Sequence, residues 1–168
     1  MVFAGIGKNQ RARCKNDSFC NEPFVLPKSS TSDSRKDWFA VGDNKRFPNE
    51  VGGRATTAPE EVPAAIKRLL RDYNAKREKT FDDLPDFHYR FERIHPFQDG
   101  NGRVGHLLLF KECLQNGIVP STLTKGLEMC CCRGLQNWET EPGCLRDTCG
   151  LAQDRFQQVL EYFKLRCS

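Results

Sequence analysis

A short polar interruption separates two helical stretches in the middle of this sequence. Over roughly residues 80–93, apolar side chains recur at intervals of three and four, which is typical of a helix with one buried side. His95 and Pro96 end that helix, because the residue before a proline is pushed out of the helical region. Residues 104–114 are apolar nearly all round, which predicts a central buried helix closed by Gly117. Any fold of this chain must therefore hold the intervening loop between two core helices.

Three further helices and one hairpin are predicted around this pair. Thr57 is the expected N-cap of a helix that has Pro59 in its first turn and the same apolar spacing. Two more helices are expected over about 124–138 and about 149–165. Prolines and paired glycines in residues 43–53 suit a hairpin or flap. The predicted fold class is all-α, a mainly helical bundle with a small β-hairpin flap.

Length and composition indicate one domain and argue against membrane and nucleic-acid partners. With 168 residues the chain fits one domain, in which residues 1–40 form a poorly defined N-terminal segment and residues 41–168 the functional domain. No run approaches the roughly 18 apolar residues of a membrane span, and the first residues show no secretory signal. The 26 basic residues are scattered among 22 acidic ones, so no nucleic-acid surface is indicated. We expect a cytoplasmic protein that binds neither membrane nor nucleic acid.

Nine cysteines and three histidines raise the question of a metal site. The sequence has no pair of CxxC knuckles, so the cysteines are interpreted as free thiols packed as small apolar side chains. A metal-hydrolase site made of His88, His95 and His106 is disfavoured, because Pro96 breaks the helix and the sequence has no HExxH-type pair.

The loop itself has the composition of an anion-binding site. Gly100, Asn101 and Gly102 precede the buried helix, and glycines allow conformations that point successive backbone N–H groups at an oxyanion. A plain tight turn is the alternative, since Asn-Gly is a common turn pair. Asp99 offers a hard oxygen ligand for magnesium, and Arg103 can donate two hydrogen bonds to a phosphate. These residues predict a site that binds a phosphate group and a magnesium ion.

Two further loop residues have predicted roles, His95 and Phe97. Near neutral pH a histidine can act as a general base and remove the proton of a hydroxyl that attacks phosphorus. The alternative for His95 is an ordinary core histidine, but its nearness to the phosphate cradle favours catalysis. Phe97 is expected to point inward and to hold the loop against the core. His95 is therefore the predicted catalytic residue.

The loop resembles the signature of the Fic family, HxFx(D/E)GNGRxxR. The matching positions are His95, Phe97, Asp99, Gly100, Asn101, Gly102 and Arg103. The resemblance implies a Fic-like fold and a nucleotidyltransferase that moves AMP from ATP, with magnesium, to a Ser, Thr or Tyr hydroxyl of a target protein. Residues 48–54 look like the family's flap, which implies target positioning by strand addition. The flap residues given this role are Pro48, Asn49, Glu50, Val51 and Gly52.

Two features depart from the family pattern. Where the signature has a second arginine that clamps the terminal phosphate, this chain has His106, which can donate to phosphate when it is protonated. We therefore expect attenuated activity, and the alternative is a catalytically impaired Fic-fold protein that acts as a partner-binding module. No segment completes the inhibitory pattern (S/T)xxxE(G/N), so restraint either comes from a separate antitoxin-like protein or is not needed. Other nucleotides, or phosphocholine, stay open as donors.

Overall fold

The computed structural model describes residues 42–124 and 126–165. The elements of this part of the chain are β1 (Glu50–Val51), β2 (Arg54–Ala55), α1 (Val62–Ala75), α2 (Asp83–Ile94), α3 (Asn101–Gln115), α4 (Glu128–Asn137) and α5 (Gly143–Tyr162). The predicted fold class, a mainly helical bundle with a small hairpin flap, is confirmed. Residues 1–40 lie outside the described residues, so the proposed domain boundary stays a prediction. None of the described helices is both long and apolar enough to cross a lipid bilayer.

The helix starts differ from the prediction by several residues, since α2 begins at Asp83 rather than near residue 80 and α4 at Glu128 rather than near residue 124. The starts of α1 and α5 differ as well. A 3₁₀ turn over Pro59–Glu61 leads into α1, and the residue that caps this turn is Ala58. The prediction of Thr57 as the N-cap is wrong, because the residue before a proline is held extended and therefore occupies the cap position itself. α5 begins at Gly143 rather than near residue 149, since its first turns already pack against α4 through Leu145.

The helices pack in two groups that share α2 and α3. Apolar side chains of α1, α2 and α3 form one core cluster, which also includes Phe97 of the loop. A second cluster joins α2 and α3 to α4 and α5 through residues such as Leu84, Leu109 and Leu145. These leucines are at most 1% exposed, and complete burial of one leucine contributes roughly 1.5–3 kcal/mol. The loop is thus attached at both ends to firmly packed helices.

α3 is less completely buried than its sequence suggests. Val104, Leu108 and Leu109 are buried, but Leu107 is 61% exposed and Leu114 is 53% exposed. The prediction of a helix buried nearly all round is therefore wrong. Among the described helices α3 packs mainly on α2, so one of its faces stays open. The predicted end of the helix is confirmed, since Gly117 follows it with a φ of 65°.

The hairpin confirms the predicted flap. Its two strands pair antiparallel, with Glu50 opposite Ala55. Between them, Gly52 and Gly53 have φ values of 57° and 74°, and a two-residue type I′ turn needs positive φ at both positions. The turn therefore depends on the paired glycines that the sequence places there.

α4 and α5 cross closely at Gly134. A Cβ atom built at this position would lie 2.7 Å from the Cα and 2.8 Å from the backbone nitrogen of Leu145. Real Cβ atoms essentially never approach a heavy atom of a non-neighbouring residue within 3.0 Å. The crossing therefore requires a residue without a side chain on α4.

We predict that Gly134→Ala lowers the free energy of unfolding by about 1–3 kcal/mol, because overpacking forces α5 away from α4. Gly150→Ala in α5 is the matched control. Nothing lies within 4 Å of its Cβ position, and alanine is favoured over glycine inside a helix by about 1 kcal/mol. Denaturant unfolding measures both variants. Equal stability of the two would contradict the close crossing.

Candidate active site

His95 lies at the C-terminal end of α2 in a left-handed backbone conformation. Its φ of 50° and ψ of 63° end the helix, and its N–H donates to Phe91 O at 3.0 Å. Residues other than glycine rarely adopt positive φ, and those that do are often found at functional sites. The side chain is 17% exposed, and its Nδ1 lies 3.3 Å from Glu92 O and 3.6 Å from Glu92 Oε2. Glu92 thus orients the predicted base.

Asn101, the first residue of α3, closes the loop with its side chain. Its Oδ1 accepts from Phe97 N at 2.8 Å, and its Nδ2 donates to Phe97 O at 2.8 Å. The residue is 1% exposed, so water does not compete for these hydrogen bonds. Phe97 is buried as predicted, with its ring near that of Phe91. Because both ends of the amide are engaged, Asn101 can contact a phosphate only through its backbone N–H.

Gly100 turns the chain into α3. It occupies the N-cap with a φ of 84°, which glycine adopts without strain. The first backbone N–H groups of a helix have no acceptor within the helix, which leaves those at the start of α3 for a ligand. The helix dipole adds partial positive charge at the same place. This geometry suits the predicted phosphate cradle at Gly100, Asn101 and Gly102.

Asp99 and Arg103 lie on the open side of the loop. Asp99 Oδ2 is 3.5 Å from Arg103 Nη2, and the two side chains are 66% and 60% exposed. Asp99 Oδ1 accepts from Gly100 N at 2.7 Å. An exposed ion pair contributes about 0–1 kcal/mol, so either partner can exchange it for a ligand at little cost.

A buried lysine connects the flap to the loop. Lys45 Nζ donates to Asn49 Oδ1 at 2.8 Å and to Ile94 O at 3.4 Å, and burial lowers the pKa of this amine. The backbone N–H of Lys45 donates to Pro96 O at 2.7 Å, and Asn49 Nδ2 donates to Phe97 O at 3.1 Å. Asn49, predicted to position a target, thus also anchors the flap.

Side chains hold both ends of the flap. Gln98 Oε1 accepts from Phe47 N at 3.1 Å, and its Nε2 donates to Phe47 O at 3.4 Å. On the other strand, Arg54 Nη1 donates to Gln136 O of α4 at 3.1 Å. The exposed members of the predicted target-positioning set are Pro48, Glu50, Val51 and Gly52. These residues are accessible to a second chain.

A cavity of about 340 Å³ lies between the flap, α2, α3 and α4. A volume of roughly 300–1,000 Å³ is typical of small-ligand sites. Gly102 and His106 of the predicted phosphate site line it, as do Val51 and Gly52 of the flap. The charged lining residues are Arg54, Glu92, Arg93 and Glu128. His95, Asp99 and Arg103 are outside this lining, so the cavity takes in only part of the predicted site.

His106 lines the cavity from the same helix as Gly102. Burial lowers its pKa, and the nearby carboxylates of Glu92 and Glu128 offset part of that effect. The ring of His106 is thus mainly uncharged at neutral pH. Its centroid lies 5.3 Å from that of His88, a fully buried histidine whose pKa burial lowers to about 4.

Glu92 is absent from the predicted site, although it contacts His95 and lines the cavity. Its position three residues before His95 places both side chains on one helix face, and that spacing is the signal that could have identified it. Its Oε1 is buried and makes no hydrogen bond within the described residues, which is rare for a carboxylate oxygen.

The fold and the loop together define a helical domain in which a glycine-containing loop at a helix N-terminus lies beside a hairpin flap. The sequence model of the Fic/DOC family matches residues 28–112, half of the 168 residues. The chain therefore belongs to the Fic/DOC family, and the resemblance seen in the loop is confirmed. The match begins before residue 41, the predicted start of the functional domain.

Curated relatives and a solved structure agree with this assignment. The chain is 42% identical over 64 residues to a probable protein adenylyltransferase of Aquifex aeolicus. This match covers 36% of this chain and 19% of that protein. It is 30% identical over 87 residues to protein adenylyltransferase Fic of Drosophila melanogaster. That match covers 50% of this chain and 18% of that protein. The chain thus spans about a fifth of the length of these relatives.

The solved structure is that of a Fic-domain-containing signalling protein from Bacteroides thetaiotaomicron. It has a TM-score of 0.56 and 25% identity, and the match covers 73% of this chain and 58% of that one. The similarity confirms the Fic-like fold.

We predict that Asn101→Ala lowers the free energy of unfolding by about 2–4 kcal/mol, because it leaves the buried N–H of Phe97 without a partner and removes one of the two hydrogen bonds to Phe97 O. Asn116→Ala, just past the opposite end of α3, is the matched control. Its side chain donates one half-buried hydrogen bond to Glu112 O at 2.8 Å, the loss of which costs about 0.5–1.5 kcal/mol. Denaturant unfolding gives the difference between the variants. Similar losses would show that the loop does not depend on Asn101.

Proposed function

We propose that this chain is a protein adenylyltransferase, which transfers AMP from ATP to a Ser, Thr or Tyr hydroxyl of a target protein. The observation that carries the proposal is the loop between α2 and α3. In a member of the Fic/DOC family, this loop combines a histidine, a carboxylate and a helix N-terminus beside a cavity. The names of the curated relatives support the same activity.

ATP is proposed to bind with its phosphates at the start of α3. Backbone N–H groups around Gly102 would donate to phosphate oxygens, and the guanidinium of Arg103 would donate two hydrogen bonds. Asp99 suits a magnesium ion, because it offers an exposed carboxylate beside the cradle and magnesium usually binds one or two carboxylates together with substrate phosphates. Magnesium held there would neutralise part of the phosphate charge.

His95 is the proposed general base. A proton on its Nδ1 is held by Glu92 O, which leaves Nε2 as the basic nitrogen. Nε2 takes the proton of the target hydroxyl while the hydroxyl oxygen bonds to the α-phosphorus of ATP and the bond to pyrophosphate breaks. The carboxylate of Glu92, 3.6 Å from Nδ1, stabilises the resulting imidazolium.

The flap is the proposed docking place of the target. Its strands are exposed, and an extended segment can add to a strand edge through backbone hydrogen bonds. Val51 and Gly52 also line the cavity, so a segment bound along the flap would bring a hydroxyl side chain near the bound nucleotide.

His106 is the proposed cause of attenuated activity. An arginine at this position would donate charge-assisted hydrogen bonds to the terminal phosphate, each contributing about 1.5–3 kcal/mol. The uncharged imidazole of His106 lacks this contribution. The loss corresponds to about one to two orders of magnitude in rate or affinity.

The uncharged His106 also favours a second function, which is partner binding without catalysis. A cavity with a neutral His106 attracts a triphosphate less strongly, whereas the exposed flap does not depend on the nucleotide. Under this alternative the flap binds a partner protein and the chain has no transferase activity.

We predict that the full chain transfers label from ATP to a target protein in the presence of magnesium, and that His95→Ala removes the transfer because the base is lost. Intact-mass analysis should show one added AMP group. Gln115→Ala, exposed at the far end of α3, is the control and should retain activity. Transfer that persists in His95→Ala would contradict the mechanism. Absence of calorimetric binding of magnesium-ATP at millimolar concentration would favour the partner-binding function.

We predict that His106→Arg raises the transfer rate by about one to two orders of magnitude, because it supplies the missing charge-assisted hydrogen bonds. Gln115→Arg adds the same charge to α3 outside the cavity lining and should leave the rate unchanged. Initial rates at saturating and limiting ATP separate an effect on kcat from one on KM. An equal increase in both variants would show that overall charge, and not the cavity position, controls the rate.

A further inference from the structure

Three side chains with nitrogen or sulphur ligand atoms meet at the wall of the cavity. His88 comes from α2, His106 from α3 and Cys131 from α4. Their ligand atoms all lie within 4.8 Å of one another. His88 is buried, His106 is half-buried and Cys131 is 2% exposed. Residues distant in the sequence thus form a compact group that the spacing of the cysteines alone does not predict.

The buried histidine of this group lacks ordinary partners. The backbone of Gly105 lies close enough to the His88 ring for a weak hydrogen bond, but within the described residues neither ring nitrogen makes a hydrogen bond of ordinary geometry. Buried polar side-chain atoms nearly always have a hydrogen-bond partner, so an unpartnered ring nitrogen calls for an explanation such as a missing ion. A ligand of His88 would provide that partner.

A buried carboxylate lies next to the same group. Glu92 Oε1 is buried and makes no hydrogen bond within the described residues. A Cβ atom built at Gly105 would lie 2.3 Å from this oxygen and 3.1 Å from His88 Nδ1, so both atoms face the same point of α3. One oxygen of Glu92 therefore lies beside the His88 ring without a hydrogen-bond partner among the described residues. A bound cation would supply a partner for it.

We propose that His88, His106 and Cys131 bind a zinc ion, with the carboxylate of Glu92 beside it. Two imidazole nitrogens and one thiolate are ligands that zinc prefers, whereas magnesium prefers oxygen. The site is therefore distinct from the magnesium site proposed at Asp99. It would join α2, α3 and α4 at the wall of the cavity.

The three side chains are close enough for this role. With Zn–N of about 2.0–2.1 Å and Zn–S of about 2.3 Å, tetrahedral geometry sets ligand atoms about 3.3–3.7 Å apart, so a closure of at most about 1.5 Å is needed. The half-buried side chain of His106 has the most room for such a shift. Zinc binding displaces the proton of the Cys131 thiol, which leaves to solvent as the thiolate–metal bond forms.

We predict that the full chain, freed of metal by a chelator, binds one zinc ion with a dissociation constant below about 1 µM. Competition with a metal-sensitive dye measures the affinity. Cobalt serves as a spectroscopic probe, since a cobalt–thiolate bond gives a near-ultraviolet charge-transfer band. Cys131→Ser should remove that band and weaken zinc binding by at least about tenfold. His106→Asn should weaken binding to a similar extent.

Cys130→Ser is the matched control, because Cys130 is the exposed neighbour of Cys131 on α4. It should keep both the affinity and the cobalt band. Thermal unfolding of the metal-free variants establishes whether they are folded. If Cys131→Ser does not fold, His106→Asn provides the second test, because His106 is only half-buried. Absence of zinc binding in the wild type, retention of wild-type affinity in His106→Asn, or an equal loss in Cys130→Ser would overturn the proposal. None of these measurements involves nucleotide, so they do not depend on the proposed transferase activity.

Discussion

The reciprocal hydrogen bonds between the Asn101 side chain and the Phe97 backbone are the constraint on which the site depends. They join two buried residues across the loop, so the loop cannot widen without leaving polar groups unsatisfied in the core. His95 lies just before this closure and the helix N-terminus just after it. One side chain therefore fixes the separation between the predicted base and the predicted phosphate cradle.

The flap depends on the same loop. Lys45 donates to Pro96 O, and Asn49 donates to Phe97 O, so the carbonyl groups of the loop hold the residues that lead into the hairpin. Burying an ammonium group is costly, and the oxygens of Asn49, Thr56 and Ile94 compensate for its lost hydration. Movement of the flap away from the loop would break this set of contacts. Flap and loop are therefore expected to move as one unit.

The sequence predicted the parts of the fold that depend on neighbours along the chain. Apolar spacing and the break at His95 located α2, α3 and the loop, because helix periodicity and helix breakers are local properties. The exposure of Leu107 was not predictable, since an apolar pattern does not reveal how many helices surround it. The buried Lys45 escaped prediction because its partner carbonyl at Ile94 is 49 residues away. The sequence prediction also omitted Glu92. Its spacing of three residues from His95 would have placed the two side chains on one helix face.

The charges around the cavity connect the two proposals. Its lining includes two arginines, Arg54 and Arg93, and two glutamates, Glu92 and Glu128, so with an uncharged His106 the formal charges cancel. An arginine in place of His106 would add one positive charge for a triphosphate. A zinc ion bound through the thiolate of Cys131 would also add one net positive charge, because the negative thiolate offsets one of the two positive charges of zinc. Zinc at this position would thus supply the positive charge of the arginine that the family signature places there. It would not supply the hydrogen bonds of that arginine.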